Sequence, residues 1–228
     1  MQMTETSRWR FKGPEMEGPI ARWYTRVRGT ERQLAECKKQ AAELTAGLPA
    51  GARVLEVAPG PGYLAVEMAR LGRVLVTALD ISHTFVEIAR ERAREAGVNV
   101  DVRQGDVARM PFETGSFDLV VCQAAFKNFT HPDRALDEIH RVLRDGGTAV
   151  IQDMNHEASG AAIGEEVKGM GLGRVNALMT RFTLAMLRRR AYTRQRMEGL
   201  AKASAFGGCQ IETMGIGMDV RLRRQAVG

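Results

Sequence analysis

The run VLEVAPGPGYLA, residues 54–65, combines an apolar strand, a glycine-rich turn and the start of a helix without a break. Gly60 and Gly62 have no Cβ, so the turn can take unusual φ/ψ angles and let a ligand come close to the backbone at a helix N-terminus. Gly60-Pro-Gly62-Tyr-Leu-Ala65 fits the dinucleotide fingerprint G-x-G-x-x-A. Asp80 lies 18 residues beyond Gly62, at the end of the next apolar run, where a carboxylate can hold a ribose diol. This is the chemistry of holding an adenosine cofactor, and the turn alone does not separate a nicotinamide dinucleotide from other members of that class. Glu56, inside the first apolar run, is too expensive to bury unpaired, so it must bind backbone amides near a ligand or make a structural hydrogen bond.

Candidates for proton transfer are few. His83, His131 and His140 precede the last strand of the central region, and each has a structural reading: His83 begins a helix, His131 stands beside Pro132 at a helix start, and His140 lies within a helical EIHRVL run. No catalytic residue is assigned. Cys37, Cys122 and Cys209 are far apart and show no CxxC or Cys/His spacing, so they are read as buried thiols, with neither a disulfide framework nor a metal site expected.

The elements that must position these groups alternate between residues 53 and 154. Strands are expected at Val54–Val57, Val74–Leu79, Val98–Gln104, Phe117–Cys122 and Thr148–Met154, with helices near Tyr63–Leu71, Phe85–Ala96 and Pro132–Leu143. The third strand alternates polar and apolar residues, whereas VLVTAL and LVVC are almost continuously apolar, which places strand three at an edge. THPD supplies a cap, a first-turn proline and an acid at the positive end of the third helix, and RDGG at its far end reads as a turn. Residues 155–206 have no strand pattern and read as a helical cap inserted after strand five. GIGMDVRLRR then alternates strictly and closes a terminal hairpin. Residues 1–50 form a helical segment bearing Trp9, Phe11, Trp23 and Tyr24, and residues 51–228 form the cofactor-binding domain.

Taken jointly, these spacings resemble the class I S-adenosylmethionine-dependent methyltransferases, in particular the ubiquinone/menaquinone-biosynthesis type and its small-molecule relatives. The resemblance covers roughly residues 50–154. The family's acidic residue followed by spaced glycines is matched by Glu56-Val-Ala58-Pro-Gly60-Pro-Gly62, with Ala58 in place of the first glycine. It implies that Asp80 binds the ribose hydroxyls and Ile81 packs on adenine. It further implies that Gly105-Asp106 supplies an acceptor for the adenine amino group, with Val107 offering a backbone N–H. SFDLVVCQAAF resembles the strand beneath the methyl-transfer site, which adds Gln123 to the cofactor set, and EIHRVLRDGGTAVIQDM resembles the Arg-Val-Leu-Lys-Pro-Gly-Gly turn, with Asp145 in place of its proline. The implied fold is α/β: a doubly wound seven-stranded sheet, mostly parallel with an antiparallel C-terminal strand, flanked by the helical N-terminal segment and the cap. The implied activity is methyl transfer from S-adenosylmethionine, leaving S-adenosylhomocysteine.

The acceptor is less legible. Phe126, Lys127 and Asn128 follow strand four where such enzymes face their acceptors, and Trp9, Trp23 and Tyr24 offer a lid over it. The segment lacks the Asn/Asp-Pro-Pro-aromatic sequence of enzymes that methylate nucleobase amino groups, which argues for a small aromatic or lipophilic acceptor over nucleic acid. Arg181, Arg188, Arg189, Arg190, Arg194 and Arg196 lie among apolar residues as on an amphipathic surface helix over 181–196, a place for weak contact with an anionic membrane. The net charge of +6 and the pI near 9.6 admit anionic partners without fixing any chemistry. Alternatives are an RNA or phospholipid-headgroup methyltransferase, a nicotinamide-dependent oxidoreductase, and a non-catalytic cofactor-binding regulator. No membrane-length apolar run or secretory signal core is present, so a cytoplasmic location is expected.

Overall fold

A computed structural model describes residues 16–226. Two helices come first, α1 (Gly18–Arg28) and α2 (Glu31–Thr45), the second capped by Thr30, whose side chain accepts from Gln33 N. The alternating region follows as β1 (Ala52–Val57), α3 (Tyr63–Arg70), β2 (Val74–Asp80), α4 (His83–Glu95), β3 (Val100–Gln104), β4 (Phe117–Gln123), α5 (Pro132–Val142) and β5 (Leu143–Met154). The inserted cap is wholly helical: α6 (Gly160–Gly169), α7 (Arg174–Arg188) and α8 (Arg194–Ala203). The hairpin of β6 (Gln210–Met214) and β7 (Gly217–Arg223) is the last of the described elements.

The seven strands form one sheet in the order β3-β2-β1-β4-β5-β7-β6. β1 to β5 run parallel, and β7 is antiparallel to both β5 and β6. The edge position expected for β3 follows from its alternating sequence: Val102 is buried while Asp101 and Arg103 are exposed. The central strands bury both faces. On one, Leu55, Val57, Val120 and Ile151 pack against Leu136 and Ile139 of α5 and Met197 of α8. On the other, Val54, Ala78, Val121 and Val150 pack against Ala41 of α2, Met68 of α3 and Val86 of α4.

Some expectations need correction. The RDGG segment is drawn into β5 instead of standing as a free turn. The pairing with β4 slips between Phe117 and Leu119, and Gly146 takes a left-handed φ of +76°, so the turn persists as an irregularity inside a longer strand. Asp145, where the resemblance leads one to expect proline, pairs with Arg224 Nε at 3.0 Å, while Arg224 Nη1 donates to the carbonyls of His140, Arg141 and Leu143. The basic run is not a single helix over 181–196. α7 stops at Arg188, Thr193 caps α8, and between them Tyr192 is buried. Cys37 and Cys122 are buried as expected, but Cys209 is only half-buried.

Candidate cofactor site

The sheet order reverses between β1 and β4, and in a parallel sheet the crevice at the carboxyl ends of the strands flanking that point is where ligands sit. The turn from β1 to α3 opens into this crevice with Ala58, Gly60 and Gly62 at φ values of +53°, +55° and +75°. Gly62 is obligatory for packing, because a Cβ there would stand 2.8 Å from Ala89 Cβ. A Cβ on Gly60 would meet no protein atom within 4 Å, so its missing side chain leaves open space beside the turn. Ala58 holds a left-handed conformation that costs a non-glycine residue about 1–2 kcal/mol. It does so at the position where the resemblance leads one to expect glycine, and its N–H donates to Leu79 O at 2.8 Å.

Asp80 organises the turn. Its Oδ2 accepts from Gly60 N and its Oδ1 from Ser82 N, both at 2.9 Å, and its carbonyl accepts from Gly105 N at 2.9 Å. One residue thus ties the carboxyl ends of β1, β2 and β3 together. Burial pushes its carboxyl up to about 6, against the pull of those backbone donors. Ser82 caps α4 by accepting from Phe85 N, so the helix cap falls on Ser82 and not on Asp80. Ile81 is half-exposed beside this point, and its carbonyl accepts from Gln104 Nε2. Asp106 is half-buried after β3; its Oδ1 accepts from Ala108 N at 2.9 Å, leaving its other oxygen available. Val107 packs on the core beside it.

Glu56 is 3% exposed, and burial raises its carboxyl to about 8, opposed by a hydrogen bond from the Ala65 backbone. Its Oε2 has no hydrogen-bond partner. Gln123 lies at the carboxyl end of β4, donating through Nε2 to Gln40 Oε1 at 3.0 Å and to Gln152 Oε1 at 2.7 Å, and Gln152 donates in turn to Asp219 Oδ2 at 2.8 Å. This chain of amides joins α2, β4, β5 and β7. Gln40, Gln152 and Asp219 were missed in the sequence. Gln123 and Gln152 end two apolar runs at paired positions, a signal that only strand register reveals.

The acceptor candidates fare differently. Phe126 is 1% exposed, its ring enclosed by Phe129 at 5.4 Å and Tyr192 at 5.6 Å, so it is a core residue and does not face a crevice. Lys127 is also withdrawn. Its Nζ lies 2.6 Å from Asp153 Oδ1 and donates to Ala124 O, while its own N–H donates to Asp153 Oδ2. Asn128 is half-buried at the end of the same short 3-10 turn. Trp23 is 61% exposed on α1, and Tyr24 meets the edge of Phe85. Trp9 and Phe11 lie outside the described residues. The N-terminal segment nevertheless reaches the crevice: Glu17 accepts from His83 N, Thr84 N and Thr84 Oγ1, and Ser82 Oγ donates to Met16 O. No motif in the sequence announces Glu17. Among the described residues, no three His, Cys, Asp or Glu side chains converge as a metal site. A groove of about 310 Å³ between α1 and α4 is lined by charges of both signs, including Arg22, Glu87, Glu91 and Arg92, and contains none of the glycine-turn residues.

Residues 55–151 match a family model described as a methyltransferase domain. Curated relatives of the domain include a ubiquinone biosynthesis O-methyltransferase of Xanthomonas axonopodis pv. citri, 37% identical over 50% of this chain and 48% of its own length. A demethylmenaquinone methyltransferase of Deinococcus radiodurans is 36% identical over 53% of this chain and 49% of its own. The chain spans about half the length of the curated relatives it matches. Solved structures carry the likeness over more of the fold. A S-adenosylmethionine-dependent methyltransferase of Aquifex aeolicus superposes with a TM-score of 0.66 at 18% identity, covering 89% of this chain and 97% of that one. The [4+2]-cyclase SpnF superposes at 0.58 with 22% identity, covering 88% and 84%. The segment matched by the family model holds the glycine turn, Asp80 and Asp106.

The crevice fits S-adenosylmethionine on its own chemistry. An orphaned buried carboxyl oxygen on Glu56, open space at Gly60, and acids at or just beyond the carboxyl ends of β2 and β3 are groups suited to a ligand that carries hydroxyl, amino and ammonium donors.

Proposed function

We propose that the protein transfers a methyl group from S-adenosylmethionine to a small lipophilic acceptor, with a quinone-type ring as the substrate class suggested by its curated relatives. The observation that carries this reading is the Asp80 junction, which holds the left-handed turn of β1 beside two further acids, Glu56 and Asp106, in one crevice. When bound, S-adenosylmethionine supplies a methyl group already activated on a sulfonium sulfur. Asp80 would hold the ribose hydroxyls through its remaining lone pairs and Asp106 the adenine amino group. Ile81 and Val107 would flank the base, and Glu56, Ala58 and Gln123 would line the methionine end. With the leaving group already activated, the chain must mainly orient the acceptor and exclude water.

The relatives include an O-methyltransferase and, at 34% identity over 48% of this chain, a C-methyltransferase of Pseudomonas putida, so their likeness leaves the methylated atom to experiment. A cytoplasmic location accompanies the reading, because the cofactor is available there.

A second reading, cofactor binding without methyl transfer, is favoured by one observation. His140 packs edge-to-face with Phe206, His131 makes no side-chain cap, and His83 sits on the exposed start of α4, so none is placed as a base in the crevice. Incubation with methyl-labelled S-adenosylmethionine and demethylated quinols bearing short prenyl tails separates the two. Label in the quinol supports methyl transfer; cofactor binding with no label in any phenolic or carbon acceptor supports the second reading.

A further inference from the structure

Among the described helices, α7 alone buries no residue. Its outer face presents Val175, Leu178, Met179, Phe182 and Met186, which are 72%, 71%, 65%, 68% and 46% exposed. Their spacing of 3, 4, 7 and 11 from Val175 puts them on one stripe. Arg174, Arg181 and Arg188, seven residues apart, run along its flank, and Arg189 and Arg190 close its end. α7 contains no acidic residue, and among the described residues no carboxylate pairs with Arg174, Arg181, Arg189 or Arg190.

A second helix repeats the pattern. On α1, Ile20, Trp23 and Val27 are 46%, 61% and 53% exposed, with Arg22, Arg26 and Arg28 among them. The helices next to them in the chain meet: Arg32, in the first turn of α2, which follows α1, donates to Gly169 O at the end of α6, which precedes α7, and lies 3.8 Å from Glu166.

We infer that the outer faces of α7 and α1 dock on an anionic lipid surface. The charge on these faces selects that occupant over a second copy of the chain. Two-fold pairing of α7 would bring an arginine stripe against itself with no acid to neutralise it, whereas lipid phosphates complement it and acyl chains take the apolar stripe. α7 is 15 residues long, about 22 Å at 1.5 Å per residue, too short to cross a bilayer of about 30 Å, so it lies in the interface plane. The inference deepens the proposed function and rests on it in one respect: a lipophilic acceptor would then be collected from the bilayer itself.

Sedimentation of the full chain with phosphatidylcholine vesicles, with and without phosphatidylglycerol, tests this. Binding should be at least about ten-fold stronger to the anionic vesicles and weaken as salt is added. Leu178→Ser with Phe182→Ser should reduce it by at least ten-fold, and Arg174→Gln with Arg181→Gln by roughly five-fold per arginine. All four positions are exposed, so the variants should keep the parent's thermal midpoint and its affinity for S-adenosylhomocysteine. Equal binding to neutral and anionic vesicles, no binding to either, or a solution dimer that the Leu178/Phe182 variant dissociates would each overturn the inference. Failure of the parent to bind S-adenosylhomocysteine would strike the proposed function instead, without touching the vesicle result.

Discussion

Asp80 Oδ2 accepts a hydrogen bond from Gly60 N at 2.9 Å, so the acid that ends β2 holds the glycine turn that ends β1. The carboxylate proposed to bind the cofactor is therefore also the fastener of the glycine turn. Asp80→Ala should lose both functions. Leaving the part-buried Gly60 and buried Ser82 donors unpaired costs up to about 1–3 kcal/mol each in principle, offset by relief of a buried charge, so a net loss of roughly 1–2 kcal/mol in urea unfolding is expected. Affinity for S-adenosylhomocysteine should fall by more than about ten-fold, a larger effect than stability alone accounts for. Because the Asp80 carboxyl titrates near 6, that affinity should also decline as pH falls through 6, and titrations across pH 5 to 8 would detect it.

The two glycines of the turn should respond differently to the same change. At Gly62 an alanine meets Ala89 at 2.8 Å in addition to left-handed strain, so Gly62→Ala should destabilise by about 2–4 kcal/mol. At Gly60 the strain acts alone, and Gly60→Ala should cost only about 1–2 kcal/mol while its new methyl intrudes on the open space beside the turn. Comparing unfolding midpoints with cofactor affinity checks this: Gly62→Ala should be the worse folder, and Gly60→Ala the worse binder for its stability.

Glu56 gives a signed dependence on pH. Its folded carboxyl is raised to about 8 from an ordinary 4.5, so the folded state holds a proton that the unfolded chain has released. Stability from this group is fully present below 4.5 and is lost as pH rises through 8, with a slope of about −1.4 kcal/mol per pH unit for one proton. Asp80 acts in the same direction but only up to about 6, and His140, held below its ordinary 6.5 by burial, acts in the opposite direction up to 6.5, which isolates Glu56 between pH 6.5 and 8. Glu56→Gln should flatten the stability profile in that window, and an unchanged slope in urea melts would contradict the assignment.

Lys127 and Asp153 are each 5% exposed at their side chains and lie 2.6 Å apart. Lys127→Met strands the Asp153 charge and should cost about 3–5 kcal/mol, while Lys127→Met with Asp153→Leu should recover part of it. The double variant would keep its affinity for S-adenosylhomocysteine, since the pair fastens the turn after β4 to the end of β5; a selective rise in acceptor KM would instead return Lys127 to the acceptor site.

Much of this was legible in the chain because the relevant signals are local. The continuous apolar runs of β1, β2 and β4, the alternation of β3 and β7, and the Gly60/Gly62 turn with Asp80 behind it are each decided by neighbours in sequence. What escaped depends on contacts across long separations. Whether Lys127 faced a ligand or an acid was set by Asp153, 26 residues away. Phe126 was withdrawn by Tyr192 of the cap, and the 181–196 run was divided by that same buried tyrosine. Glu17 meets Thr84 across 67 residues, and neither position carries a motif.

The most direct test of the account is calorimetric titration of the purified protein with S-adenosylmethionine, S-adenosylhomocysteine and NADH in parallel. Binding of the two sulfur compounds, weakened in Asp80→Ala and absent for NADH, is the predicted result. Binding of NADH alone would contradict it and make the glycine turn and Asp80 a nicotinamide dinucleotide site.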